Sequence, residues 1–140
     1  MITILRIGKN RFSPEIEDHR KKIRNLRILT IKDEKGTNHE FIKKVEGEKL
    51  LSKVSGYSIA LSEEGEQLDS VSFSKIIEQI PDITFIIGGA FGLSEEVKKS
   101  VDKTLSLSKM TFTHEMALLI LVEQIYRAER ILEGHPYHKS

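Results

Sequence analysis

Apolar and polar positions alternate along the chain with two periods, one typical of strands and one of helices. Period-two or unbroken apolar runs predict strands, and apolar positions three and four residues apart predict the helices between them. The predicted strands cover residues 2–7, 26–31, 57–61, 83–87 and 105–107. Strands that alternate with helices form a mostly parallel sheet covered on both faces, so the pattern predicts an α/β fold.

Capping residues predict where the helices begin and end. Ser13 is predicted as the N-cap of the first helix, with Pro14 at its first position. Ser94 and Thr113 are predicted to cap two later helices, and Gly134 is predicted to end the last one. The remaining helices are predicted over residues 40–54, 70–81, 94–102 and 114–133, and the acidic stretch 62–66 is predicted to be a loop.

The last predicted helix is apolar on every side over residues 116–122. A helix of this kind must be covered all round. In a chain of 140 residues we expect one side to meet a second copy of the protein. Burial entirely within one subunit is the alternative, and the sequence leaves it open.

Length and composition predict a single soluble domain over residues 1–140, with 39% hydrophobic and 31% charged residues. Cysteine is absent, which excludes disulfides, thiolate nucleophiles and zinc–thiolate sites. No signal peptide is recognisable, and the longest apolar run, 116–122, is too short to cross a bilayer. We therefore expect a cytoplasmic protein with no membrane partner.

The formal net charge of +1 hides an asymmetry. Residues 1–30 hold eight Lys or Arg residues and three acidic ones. Phosphate contacts need local positive potential, so this end of the chain could form a nucleic-acid surface. On charge alone, a solvated helix surface is the simpler interpretation.

Two segments are candidates for a ligand site. The glycine-rich turn 88–92 follows a buried strand, where ligands bind in open α/β sheets. Its G-G-x-x-G spacing is not a dinucleotide fingerprint. Residues 105–112 combine apolar and hydroxyl side chains, which suit an adenine and a methionine tail. By pattern alone both are ordinary connections. His135 and His138 are separated by Pro136 and lack further ligands, so no metal is expected.

Four segments of the chain carry a resemblance to a known family. They are Phe-Ile-Ile-Gly-Gly-Ala-Phe-Gly-Leu at 85–93, Leu-Ser-Leu-Ser-Lys-Met-Thr-Phe-Thr-His at 105–114, Val-Glu-Gln-Ile-Tyr-Arg-Ala at 122–128 and Gly-His-Pro-Tyr-His-Lys at 134–139. In this order they resemble the motifs of the RlmH family of the SPOUT superfamily. Residues 2–9 and 59–61 also fit, so the resemblance covers essentially the whole chain.

The resemblance implies a SPOUT, or α/β-knot, fold in which the C-terminal segment forms a trefoil knot. It implies a homodimer in which the knot binds S-adenosylmethionine at the dimer interface. The residues implied to bind the cofactor are Leu61, Gly88, Leu107, Ser108, Lys109, Met110, Thr111 and Phe112.

The same resemblance implies a substrate and a reaction. The family methylates N3 of a pseudouridine in helix 69 of 23S rRNA, in the assembled ribosome. His138 is then expected to accept the N3 proton, and Tyr137 to orient the base or stack on it. Arg127 is expected to contact RNA phosphate, with a structural salt bridge as the alternative.

The chain departs from the family pattern at two positions. Thr113 stands where the family usually has Pro, and Leu118 where it usually has Arg. The second change removes a candidate RNA or interface contact. The alternatives are a SPOUT methyltransferase with another RNA target, a non-catalytic ribosome-binding protein of this fold and a generic nucleotide-binding module. The tail 135–139 argues against the first, and the glycine spacing disfavours the last.

Overall fold

The structure, a computed structural model, describes residues 1–139. Within this range five strands alternate with five helices. The strands are β1 (Ile2–Ile7), β2 (Leu26–Ile31), β3 (Tyr57–Gln67), β4 (Ile83–Ile86) and β5 (Lys103–Ser106). The helices are α1 (Ser13–Arg20), α2 (His39–Leu51), α3 (Ser70–Gln79), α4 (Glu95–Ser100) and α5 (His114–Leu132).

The five strands form one sheet in the order β2-β1-β4-β3-β5. Every pair of neighbouring strands is parallel. The predicted parallel sheet is therefore confirmed. Because all strands run the same way, their carboxyl ends lie at one edge, where ligands bind in sheets of this kind.

Each face of the sheet is covered by helices, as predicted. On one face Ile4 and Phe85 pack with Ile16 of α1, Phe73 of α3 and the buried side of α5. On the other face Leu5 and Ile86 pack with Leu50 of α2 and Val97 of α4. The unbroken apolar sequence of β4 follows from this, since a strand between two helical layers is buried on both sides. The trefoil knot stays a prediction.

Strand β3 is longer than predicted. The expected loop at 62–66 is wrong, because β3 continues to Gln67 and pairs with β5 at Glu66 and Gln67 after an irregularity that follows Leu61. The acidic side chains of this extension are held by lysines: Glu64 lies 3.1 Å from Lys98 and Glu66 lies 2.6 Å from Lys103. Counter-ions from elsewhere in the chain thus permit a strand in a sequence that by itself indicates a loop.

The predicted helix ends are mostly confirmed. The side chains of Ser94 and Thr113 accept hydrogen bonds from the backbone N–H groups of Val97 and Met116. Gly134 has φ +71° after the end of α5, which is the left-handed conformation of a helix C-terminus. The prediction for Ser13 is wrong. Its hydroxyl donates to the carbonyl of Asn10 instead, and α1 has no side-chain cap.

Helix α5 is fully covered on one side only. Leu118, Leu121 and Val122 are buried against the sheet, whereas Leu119 and Ile120 are half-buried. One subunit therefore leaves part of the apolar helix accessible. A second copy of the protein that covers this part stays a prediction. Among residues 1–139 no helix is long and apolar enough to cross a membrane.

Candidate active site

The floor of the candidate site is the glycine turn that follows β4. The Ile87 N–H donates to the Leu5 carbonyl (2.9 Å), which anchors the start of the turn to β1. The Gly92 N–H then donates to the Gly89 carbonyl (3.0 Å). A Cβ atom on Gly88 would lie 2.7 Å from the Gly92 carbonyl carbon, closer than side chains tolerate. The turn therefore requires glycine at 88.

The loop between β5 and α5 forms one wall and is held by its own hydroxyl groups. The Ser106 hydroxyl donates to the Ser108 carbonyl (2.8 Å), and the Ser108 hydroxyl accepts from the Met110 N–H (3.0 Å). With these polar groups satisfied inside the loop, its apolar side chains project outward: Met110 is 75% exposed and Phe112 is 37% exposed. The loop thus offers apolar surface to a ligand.

The turn, the loop and the irregular part of β3 enclose a cleft of about 570 Å³. Seven of the eight residues predicted to bind the cofactor line it, namely Leu61, Gly88, Leu107, Ser108, Met110, Thr111 and Phe112. Lys109 is exposed and does not line the cleft. The volume lies in the range of small-ligand sites, about 300–1,000 Å³.

Charged groups stand at the rim of the cleft, and the sequence interpretation missed them. Glu115, in the first turn of α5, accepts hydrogen bonds from the Arg11 backbone N–H (2.8 Å) and guanidinium (3.1 Å). These bonds lower the pKa of Glu115. Glu64 and its partner Lys98 also line the cleft. No short sequence motif could identify this pair, because Arg11 and Glu115 are far apart in sequence.

A buried carboxyl group supports the glycine turn from below. Glu46 of α2 is only 4% exposed. One of its oxygens accepts from the Glu34 N–H (3.0 Å), and the other has no partner within residues 1–139. That second oxygen is 3.0 Å from where a Cβ on Gly89 would lie. Burial raises the pKa of Glu46, and the charges of Asp33 and Glu34 add to the effect.

We expect the Glu46→Gln variant to be more stable than the wild type, by a margin that grows as the pH rises above 4.5. The substitution keeps an acceptor for the Glu34 N–H and cannot ionise. Below the ordinary pKa of 4.5, Glu46 is protonated whether the chain is folded or unfolded. Above 4.5 the unfolded chain ionises first, so the wild type loses stability until the pH passes the raised pKa. Each unit of that rise amounts to about 1.4 kcal/mol.

Urea denaturation across this pH range measures the effect. The difference between the two free energies of unfolding should widen with pH and then become constant. Parallel curves for wild type and variant would show that Glu46 ionises normally in the folded protein.

The C-terminal residues predicted to be catalytic form a separate cluster on the second half of α5. The Arg127 guanidinium donates to Glu123 (2.9 Å) and contacts the His138 Nδ1 atom (3.1 Å). Its guanidinium carbon lies 4.9 Å from the centre of the Tyr137 ring, which packs edge-on against Tyr126 at 4.8 Å. The tail 137–138 is thus docked against α5 by one arginine. Burial, with the charge of Glu123, raises the pKa of Tyr137.

The Arg127 contact determines which nitrogen of His138 carries the proton. A guanidinium has only hydrogen-bond donors, so Nδ1 must accept. A neutral His138 ring in this arrangement therefore holds its proton on Nε2. It can donate a hydrogen bond from Nε2 and cannot accept a proton there in this tautomer. To accept a proton, the ring must either free Nδ1 from Arg127 or first move its own proton from Nε2 to Nδ1, which also breaks the Arg127 bond.

His138 lines a second pocket rather than the glycine cleft. This pocket, of about 420 Å³, also includes Ile120 and Gln124 of α5. Leu107 borders both spaces. Tyr137 and Arg127 do not line the cleft either. In one subunit the structure therefore brings the predicted cofactor residues together and places the predicted catalytic residues apart from them. Residues 1–139 contain no cluster of side chains that could hold a metal ion.

The fold is that of a known class of enzymes. The chain belongs to the SPOUT methyltransferase family, whose model, described as "Predicted SPOUT methyltransferase", matches residues 1–138. It is 43% identical over 99% of both chains to a protein of Acholeplasma laidlawii named ribosomal RNA large subunit methyltransferase H. The predicted family is confirmed.

Two solved structures share the fold at low sequence identity. One is a protein of Bacillus anthracis named as an RNA methyltransferase, with TM-score 0.60 and 13% identity over 100% of this chain and 99% of the other. The other is a protein of Legionella pneumophila that is named as a methyltransferase and solved with the bound cofactor SAM, with TM-score 0.59 and 12% identity over 91% of this chain. The chain spans 66% of that protein's length. These likenesses establish the fold.

Proposed function

We propose that this protein transfers a methyl group from S-adenosylmethionine to N3 of a pseudouridine in 23S rRNA of the ribosomal large subunit. The observation that carries the proposal is the cleft, which is assembled from segments far apart in sequence that resemble one family. The relative of the same length is named for methylation of this RNA class. A ribosomal substrate would place the protein in the cytoplasm.

The cleft suits the proposed cofactor. Gly88 and Gly89 are buried at its floor, so a ligand there contacts backbone rather than side chains. Leu61, Leu107 and Met110 offer apolar surface for an adenine ring. The charged groups at the rim include both signs, since Glu64 is paired with Lys98 and Glu115 with Arg11. The glycine floor and the apolar surface are the features that support S-adenosylmethionine.

A homodimer would complete the site. The cleft of one subunit lacks His138, and the accessible side of α5 includes Ile120, which borders the His138 pocket. In a twofold dimer the same patch is used on both subunits, so packing of α5 against its copy would also bring each tail toward the partner. We infer that each active site combines the cleft of one subunit with Tyr137 and His138 of the other.

The chemistry requires alignment and removal of one proton. When bound, S-adenosylmethionine supplies an electrophilic methyl group. The N3 atom of the base lies between two carbonyl groups, so loss of its proton leaves negative charge on their oxygens. The Nε2–H of His138 can donate to such an oxygen, while Arg127 holds the ring in place. If His138 itself accepts the proton, as the sequence predicts, Nδ1 must first release Arg127.

Calorimetric titration of S-adenosylmethionine into the purified protein is the first test. We expect saturable binding with one site per subunit. The free energy of unfolding should rise with ligand concentration, because a ligand that binds only the folded state stabilises it. A folded protein that binds neither the cofactor nor its demethylated product would contradict the proposal.

A further inference from the structure

One arginine interrupts the apolar pattern of β1. Ile2, Ile4 and Arg6 point to the same face of the strand, and the first two lie in the core beneath α1 and α5. Arg6 follows them into the protein and is 9% exposed. A charge in this position is costly unless it is paired. A buried arginine at this position is therefore expected to have a negatively charged partner.

The guanidinium of Arg6 is only partly satisfied by the chain. Its Nη1 atom donates weakly to the hydroxyl of Thr30 (3.3 Å), the residue opposite it in the register of β1 and β2. Its Nη2 atom is buried and has no hydrogen-bond partner within residues 1–139. Burial lowers the pKa of Arg6, and the negative charge of Glu115 raises it in part. An arginine stays charged even so, because its ordinary pKa lies far above neutral pH.

Arg6 lies at the junction of two adjoining pockets of about 440 and 650 Å³. They share four lining residues and together form one groove between α1 and the edge strand β2. The groove is lined by six basic side chains, namely Arg6, Lys9, Arg20, Arg27, Lys32 and Lys35. Two acidic side chains line it, Glu17 and Asp33, and they pair with two of these six, Arg20 and Lys35. The other four basic side chains leave the groove positive.

The groove leads to the cleft. Asn10 lines the groove, Glu115 lines the cleft, and the Asn10 amide donates to the Glu115 carbonyl (3.0 Å). Gly8, Lys9 and Lys32 place one end of the groove at the carboxyl ends of β1 and β2, the edge of the sheet at which the cleft also lies. A chain of phosphate groups in the groove would therefore place a neighbouring nucleotide at the mouth of the cleft.

We propose that the groove around Arg6 binds the phosphate backbone of the RNA substrate. This proposal rests on the proposed function and adds to it a binding surface remote from the reacting base. Arg6 lines both pockets, so a rotation of its guanidinium would present the unpartnered Nη2 atom to a phosphate oxygen, and guanidinium groups bind phosphate through paired hydrogen bonds. A second copy of the chain is a poorer occupant, because a twofold contact would bring two positive grooves together.

The test is fluorescence anisotropy of a labelled single-stranded segment of 23S rRNA, without cofactor, over a series of KCl concentrations. Arg6→Met fills the buried position without charge. We expect it to weaken RNA binding about tenfold or more, as the loss of a charge-assisted hydrogen bond implies. The slope of log K against log salt should fall by about 0.7, the value for one phosphate contact in a single strand.

A matched variant separates the groove from charge in general. Arg24 is exposed, precedes β2 in the chain and does not line either pocket. Arg24→Met removes the same charge, and its RNA affinity and salt slope should stay near the wild-type values. Equal effects of both substitutions, or no effect of Arg6→Met in a folded protein, would overturn the proposal.

Two further measurements keep the proposal testable. If Arg6→Met does not fold, the double variant Lys9→Ala/Lys32→Ala replaces it, since both lysines are exposed, and the expected fall in slope doubles to about 1.4. If Arg6→Met dissociates the dimer in sedimentation and leaves RNA binding intact, Arg6 pairs with the partner subunit and the RNA site is wrong. The same variants should bind S-adenosylmethionine with the wild-type affinity. If neither the wild type nor any variant binds the cofactor, the proposed function is refuted instead of the RNA site.

Discussion

Gly88→Ala should abolish cofactor binding while the protein stays folded. The added Cβ would lie 2.7 Å from the Gly92 carbonyl carbon and 2.8 Å from its oxygen, so the turn must open. The floor of the cleft moves with it, and the backbone contacts that we propose for S-adenosylmethionine are lost. We expect the dissociation constant measured by calorimetry to rise at least about 100-fold, equivalent to ~2.7 kcal/mol.

Gly56→Ala is the matched control. Gly56 also has a backbone neighbour too close for a side chain, since its Cβ would lie 2.5 Å from the Asp82 carbonyl oxygen. It precedes β3, at the opposite edge of the sheet from the cleft. Both variants should therefore lose stability, and only Gly88→Ala should lose the cofactor. Equal binding by Gly88→Ala and wild type would show that the ligand site lies elsewhere.

Two inactive variants should restore activity when they share a dimer. His138→Ala should bind the cofactor normally and lose about 10²- to 10⁴-fold in rate, the usual contribution of a group that handles a proton. Gly88→Ala should be inactive because it no longer binds the cofactor. If each site combines one cleft with the partner's tail, a mixed dimer has one complete site and should show about half of the wild-type activity.

Mixed dimers can be isolated from cells that express both variants with different affinity tags. Activity near that of the two parents would mean that His138 serves the cleft of its own subunit. His138→Gln separates the two roles of the side chain, since glutamine can donate a hydrogen bond and cannot act as a base near neutral pH. Partial activity of this variant favours hydrogen-bond donation, and full loss favours proton acceptance.

The core strands could be predicted because the apolar pattern of each strand depends on that strand's own residues. The strands β1 and β2 have the bounds that the sequence predicts, since isoleucine and leucine recur along each strand and Gly8 and Lys32 interrupt the pattern after Ile7 and Ile31. The extension of β3 was not predictable, because it depends on Lys98 and Lys103, which are distant in sequence and neutralise its carboxylates. A local sequence pattern indicates which residues are buried. It cannot indicate ion pairs between residues that are distant in sequence.

The site was predictable in part for the same reason. The residues of the glycine turn and of the loop 107–112 carry motifs, and all of them except Lys109 line the cleft. The support of Glu46 beneath Gly89 carries no local signal, because a glutamate within a helix is normally exposed. Arg6 gave one signal, a charge in a position where β1 otherwise buries isoleucine. Its groove forms only when α1 and β2 come together.

Transfer of a labelled methyl group to ribosomes tests the central claim most directly. Purified protein is incubated with labelled S-adenosylmethionine and ribosomes from cells that lack this methylation, and the nucleosides of the 23S rRNA are separated by mass. We predict label in a single nucleoside, a pseudouridine methylated at N3, and none with Gly88→Ala. Cofactor binding without any label in ribosomal RNA would contradict the account.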